Sequence, residues 1–317
     1  MVTQDRRTDA VVPRPAATVM VVRDGPHVAA PLEVLMLRRS LHADFVGGAH
    51  VFPGGAVDPG DGGAGASWPV RGLDDEVASA TLGVSTGGLA YWVAAVRECF
   101  EEAGLLYACG VDGAPVDFAD PGVAARFARH RAALNARERS FVEVCESEGL
   151  RLSLDALRYF AHWITPEGSS RRYDTRFFVA PAPAGQTPAH DAGETISDVW
   201  VRPAKALASH RAGEMELILP TIRNLQAIGR FATTAELLDA ASSVGDVPTV
   251  LPRVVTDDGG LRLLLPGDPG YDDPAPAPGG GAGAGELDLD EAARRSSWAV
   301  NRPAERTTGG VCEEPGA

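Results

Sequence analysis

Apolar positions across residues 89–105 recur at the three-and-four spacing of an amphipathic helix, with Val93, Val96, Phe100 and Ala103 forming one stripe. Gly104 stands where such a helix ends in the left-handed conformation, and Ser85 or Thr86 is the residue expected to cap its start. Upstream, residues 17–23 and 32–39 are β-rich runs joined by the turn residues Asp24, Gly25 and Pro26, which predicts a hairpin-like strand pair. That pair feeds a glycine turn, Phe52-Pro53-Gly54-Gly55. Asp74 is placed to cap a short helix through Leu82. Residues 121–148 carry Val123, Phe127, Leu134, Phe141 and Val144 among charges, the pattern of one or two amphipathic helices. Strands are expected at 157–164, 173–180 and up to Val201, helices at 217–228 and 234–241, and a hairpin over 254–263.

Composition sets the frame for these elements. A chain of 317 residues with 44% hydrophobic content can bury a sizeable core, and one elaborated domain over residues 15–265 is expected. Residues 1–14 read as a disordered leader. Residues 266–317 turn to Pro, Gly, Ala and Asp and read as a disordered tail. A net charge of −14 argues against nucleic-acid backbones and anionic membranes as partners. Cys99, Cys109, Cys145 and Cys312 show no paired spacing, so neither zinc nor a disulfide framework is indicated. With no apolar run of membrane-crossing length, the expected location is the cytoplasm.

The candidate chemistry lies on the predicted helix of residues 89–105. Glu98, Glu101 and Glu102 fall three and four positions apart, so they share a face opposite the apolar stripe. Carboxylates this close raise one another's pKa unless compensated, and a hard divalent cation is a natural compensator. A solvated acidic face is the simpler alternative for a glutamate pair.

Context favours the metal. Arg97-Glu98-x-x-Glu101-Glu102-x-Gly104-Leu105 resembles the second half of the Nudix box, and Gly55 followed by Asp61 resembles its first half, with Asp where the family usually has Glu. Here 35 residues separate Asp61 from Arg97, an interruption similar to that of the peroxisomal-type coenzyme A diphosphatases. Trp163-Ile164-Thr165-Pro166 and the segment from Arg172 to Phe178 are similar to the same subgroup. Arg39, Ser40, Gly48 and Phe52 to Gly55 also match a coenzyme A-associated signature, from which Leu37 and Asp44 depart.

The resemblance implies an α/β fold, a mixed sheet in an α/β/α sandwich with extra helices. It implies Mg²⁺ or Mn²⁺ held by Glu98, Glu101 and Glu102 with a backbone carbonyl of Gly54 or Gly55. Glu98 or Glu194 is the implied proton acceptor, with Asp198 second to Glu194. Phe52, Gly54 and Gly55 are the implied substrate contacts, and Asp61, Arg97 and Gly104 the structural members of the box; Arg38 and Arg39 read either as phosphate contacts or as a solvated strand end, and Arg172 as a substrate contact near the phosphates. The insertion at about 62–88 reads as a lid or rim without chemistry of its own. The activity implied is cleavage of coenzyme A or its thioesters at the diphosphate. Alternatives are a hydrolase of ADP-ribose or dinucleotides, or a non-catalytic ligand-binding module. The partner is a small nucleotide, and a homodimer is left open as the assembly.

Overall fold

The computed structural model describes residues 11–27, 31–41, 47–62, 68–191, 193–257 and 260–273. Strands β1 (Arg14–Asp24) and β2 (Leu32–Arg39) pair antiparallel as the sequence predicts, and each carries a short neighbour. β3 (His50–Val51) lies on β2, and β4 (Gly54–Ala56) lies on β1. Helix α1 (Pro59–Gly62), strand β5 (Val70–Arg71) and helix α2 (Asp75–Leu82) then lead into the long helix α3 (Leu89–Ala103). After β6 (Ala108–Cys109) come helices α4 (Pro121–Asn135) and α5 (Phe141–Glu148), so the charged stretch forms two helices. β7 (Arg151–Ser153), β8 (Arg158–Ile164), β9 (Tyr173–Pro181) and β10 (Thr195–Val201) follow. Helices α6 (Pro203–Arg211), α7 (Leu219–Ile228) and α8 (Thr234–Ser242), strand β11 (Thr249–Val250) and the hairpin β12 (Arg253–Asp257) with β13 (Gly260–Leu264) complete the order.

The main sheet runs β10-β2-β1-β9-β8-β11 and is mixed, because β1 runs parallel to β9 and β11 to β8 while the other pairs are antiparallel. Residues alternate between its faces. Ala17, Val19, Val21, Leu35 and Leu37 pack with α3 on one side, where Trp92 and Phe178 lie 4.7 Å apart. Met20, Val22, Val34 and Met36 pack on the other side with Leu225 and Ile228 of α7 and Leu237 of α8. Both faces are covered, which gives the expected three-layer sandwich.

Four expectations change on the structure. The start of α3 is not capped by Ser85 or Thr86: its N-cap position is Gly88, with no side-chain cap of its own. Asp75, from α2, accepts the backbone N–H groups of Gly87 and Leu89 at 3.0 and 2.9 Å instead. The insertion is not a detached rim, since Trp68, Ala78 and Leu82 are buried in the core on the α3 side. Its β5 also joins a three-stranded sheet with β7 and β6, which ties it to the segment after α5. The described ends of the expected leader and tail are tied to the domain as well: Arg14 starts β1, the Val11 carbonyl accepts from Arg172, and Tyr271 donates to the Leu251 carbonyl at 2.8 Å. Residues 1–10 and 274–317 of those segments lie outside the described residues, as does Asp44.

Candidate active site

The site is built where β4 runs beneath the C-terminal half of α3. Gly54 and Gly55 form not a positive-φ turn but a strand, registered on Thr18 and Ala17. Glycine is needed here for closeness. A Cβ on Gly54 would lie 2.6 Å from the Thr18 Cα, and one on Gly55 would lie 2.5 Å from the Glu98 carboxyl carbon. Gly104 does adopt φ 69°, and its N–H closes the last turn of α3 on the Phe100 carbonyl.

Arg97 is the hub. All five of its N–H groups find acceptors: Nε and Nη2 grip the two Asp61 oxygens at 2.9 Å each, and Nη2 also donates to the Ala56 carbonyl at 2.9 Å. Nη1 reaches Glu98 at 2.8 Å and Glu101 at 3.1 Å. Burial works against this charge, yet Asp61, Glu98 and Glu101 hold the guanidinium protonated, above its ordinary range. The single turn of α1 carries the short Asp61 side chain to Arg97, with the Asp58 N–H donating to Asp61 at 2.7 Å. The two halves of the interrupted motif therefore meet in space.

The three glutamates share one helical turn, and all are raised in pKa. Burial pushes Glu98 up to about 7, opposed by Arg97 and reinforced by Glu101. Glu102 is fully buried and raised by that burial and by Glu98, with the Gly54 N–H, 2.9 Å away, pulling the other way. Glu101 is raised by burial against the pull of Arg97. Among the described residues no three such side chains already enclose one point as an ion cage, because Arg97 Nη1 sits between Glu98 and Glu101. The donor set nonetheless fits a hard divalent cation: three clustered carboxylates, two of them in contact with Arg97, are driven toward protonation by burial first and by neighbouring carboxylates second.

The remaining predicted site residues divide. Arg39 falls on the same strand face as Leu35 and Leu37, the α3 side; its charge lowers Glu102, and its buried Nε has no partner. Glu194 is exposed at the rim, close enough to raise Glu102, with its carbonyl accepting from Ser40 N–H at 2.8 Å. Arg38 alternates to the opposite face from Arg39, so strand pleating removes it from the glutamates. Phe52 is a correction, since it is buried in the core on the far side of the sheet. Arg172 is buried, with Nε and Nη1 donating to the Thr165 and Val11 carbonyls. Asp198 receives hydrogen bonds from His190. Arg131 of α4 escaped the sequence reading, although its Nε donates to the Glu101 carbonyl at 2.9 Å. No residue spacing announces that contact, which arises from packing α4 across the end of α3.

A mixed-sheet sandwich carrying these glutamates, Arg97 and the Gly54-Gly55 strand is the arrangement of a Nudix hydrolase, and the chain is similar to that family. Residues 78–228 match the family model of the NUDT19 Nudix domain. The chain is 28% identical over 279 residues to the Homo sapiens acyl-coenzyme A diphosphatase NUDT19, covering 78% of this chain and 74% of that protein. It is 28% identical over 310 residues to the Gallus gallus protein of the same name, covering 82% and 80%. Among solved structures it is similar to a Nudix hydrolase from Alicyclobacillus acidocaldarius, with a TM-score of 0.56, 28% identity, and coverage of 75% of this chain and 99% of that one. Nudix hydrolases generally act with divalent metal ions on small nucleotide-like substrates. No helix among the described residues is long and apolar enough to cross a membrane.

Proposed function

We propose that the chain hydrolyses the diphosphate of coenzyme A or its thioesters with Mg²⁺ or Mn²⁺, releasing adenosine 3′,5′-bisphosphate and a phosphopantetheine. One observation carries the reading: the half-buried Glu98 and Glu101, held by Arg97, and the buried Glu102, held by the Gly54 N–H, face a strand whose glycines leave room for carboxylates. The names of the mammalian and avian relatives support the substrate class.

Glu98, Glu101 and Glu102 are the residues that would hold the ion, with a carbonyl of Gly54 or Gly55 as a further ligand. A bound divalent ion neutralises charge on the diphosphate and lowers the pKa of water. Arg97 holds Glu98 and Glu101, and the Gly54 N–H holds Glu102, so each carboxylate is anchored beside the strand. Glu98 is the first candidate to accept the proton of the attacking water, with Glu194 the second. The unpartnered Arg39 Nε offers a donor to a phosphate oxygen. Three described cysteines are buried free thiols, which accords with a reducing cytoplasmic location.

The test is a screen of coenzyme A, octanoyl-coenzyme A, ADP-ribose and diadenosine polyphosphates with each metal, followed by Glu102→Gln. The amide oxygen can still accept the Gly54 N–H, so the fold should survive while turnover falls by orders of magnitude. Turnover of ADP-ribose alone would refute the substrate assignment. Undiminished turnover in Glu102→Gln would refute the assignment of the site.

A further inference from the structure

A concavity opens at the C-terminal end of α3, where Arg131 meets the Glu101 carbonyl, and plays no part in the site described so far. It encloses about 640 Å³ between α4, the end of α3 and the segment 185–189. That volume lies within the range of small-molecule sites, about 300–1,000 Å³. Its walls are aromatic: Phe118 and Phe127 lie 5.3 Å apart, and Phe127 and Phe100 lie 6.3 Å apart. Ala124 and Ala128 leave the α4 side open. The opposite wall is fixed, because Gln186 donates to the Leu106 and Val116 carbonyls and accepts the Leu106 N–H, while Ala189 N–H donates to the Ala103 carbonyl.

One polar group in this lining lacks a partner. Arg131 uses Nε on the Glu101 carbonyl, but its Nη2 is buried without an acceptor. A buried, unpaired guanidinium N–H is costly and suits a ligand carbonyl. The same side chain thus joins the cavity to the backbone of a metal-binding glutamate.

We infer that this cavity seats the apolar, amide-bearing arm of the substrate, the acyl-pantetheine portion, with Arg131 Nη2 donating to one of its carbonyls. This rests on the coenzyme A reading above, which supplies a substrate whose diphosphate is continuous with a long arm of alternating amide and apolar groups. The aromatic walls would take the acyl chain, and the diphosphate would remain over the glutamates.

The experiment uses the full chain with Mg²⁺, the variants Ala124→Trp and Ala128→Trp, and two readouts. In steady-state kinetics, KM of the unmodified protein should fall from acetyl- to octanoyl-coenzyme A by about fourfold per fully buried methylene, equivalent to ~0.8 kcal/mol. Either tryptophan should abolish that dependence and raise KM for octanoyl-coenzyme A at least tenfold, with kcat retained. In calorimetry, S-octanoyl-pantetheine, which has no diphosphate, should bind the unmodified protein and not the variants. Ala128 is exposed, so its variant decides the matter if Ala124→Trp fails to fold. Chain-length dependence equal in all three proteins, or no binding of S-octanoyl-pantetheine to the unmodified protein, overturns the inference while leaving the hydrolase reading intact. Binding that the tryptophans block, with every coenzyme A compound inert, supports the cavity and sinks the substrate reading.

Discussion

Replacing Asp61 with alanine tests the claim that the interrupted motif is held together by one buried ion pair. Asp61 is 2% exposed and Arg97 is 7% exposed, and two parallel N–H···O contacts of 2.9 Å join them. Removing one partner of such a pair costs about 3–5 kcal/mol, because the other is left buried with unmet donors. Glu98 and Glu101 still oppose the Arg97 charge, which places the loss near the lower end, about 3 kcal/mol. For a domain of this size each kcal/mol lowers Tm by about 2–4 °C, so a fall of about 6–12 °C is expected in circular-dichroism melts. Asp61→Asn retains one acceptor and should lie between alanine and the native residue. Salt separates this pair from a surface one, since 1 M NaCl screens exposed charges strongly and buried ones little; the difference between the two proteins should survive it. A fall below about 2 °C for Asp61→Ala would mean that Arg97 is satisfied without Asp61, and the proposed clasp would be wrong.

Four further substitutions bear on the neighbouring elements. Gly55→Ala drives a methyl into the Glu98 carboxylate and should abolish turnover in a folded protein, whereas Gly54→Ala meets the β1 backbone and should cost about 1–3 kcal/mol in urea unfolding; equal and mild effects of both on activity would refute the close-packing argument. Asp75→Ala removes the acceptor of the Leu89 and Gly87 N–H groups and should cost about 1 kcal/mol. Those N–H groups hold the Asp75 carboxyl below its ordinary 3.8. A depressed folded pKa gives stability that is complete above the unfolded value and lost as pH falls through the folded one. The gap between native and Asp75→Ala proteins should therefore be constant at pH 6 and close below about pH 4, and a gap independent of pH would exclude the carboxylate as its source. Leu82→Ala, in the insertion, should cost about 2–5 kcal/mol by differential scanning calorimetry, where a loosely attached rim would lose less than about 0.5.

What the chain reveals before folding depends on how local the physics is. Helix α3 is legible because its apolar stripe, its glutamates and Gly104 all fall within one stretch, and Asp74 caps α2 within three residues of its own position. The capping of α3 by Asp75 is not legible, because the acceptor sits on the preceding helix and only tertiary packing brings it to Leu89. Arg38 and Arg39 present a subtler case. Strand alternation dictates that they point oppositely, but both faces of β2 are apolar, so nothing local says which face will meet the glutamates. Phe52 misled for a similar reason, since a motif position next to functional glycines was also an apolar side chain with a core to fill. The strands β5, β6 and β7 are two or three residues long and carry too little pattern to be read.

These particulars explain how a motif can be interrupted without losing its geometry. The entropic cost of a longer loop grows only logarithmically, about 0.6 kcal/mol for each doubling. Burying side chains such as Trp68 and Leu82 from within the insertion returns about 1.5–3 kcal/mol each. The insertion can therefore support its own length, and in the same act α2 delivers Asp75 to the start of α3 while α1 delivers Asp61 to Arg97. Helix α3 is thus fixed at its first turn by Asp75, from within the segment that separates the motif's halves, and at its charged turn by Asp61, just before that segment. On this account the glutamates are ordered from both sides, and the sequence distance between Asp61 and Arg97 matters less than the core contacts that close it.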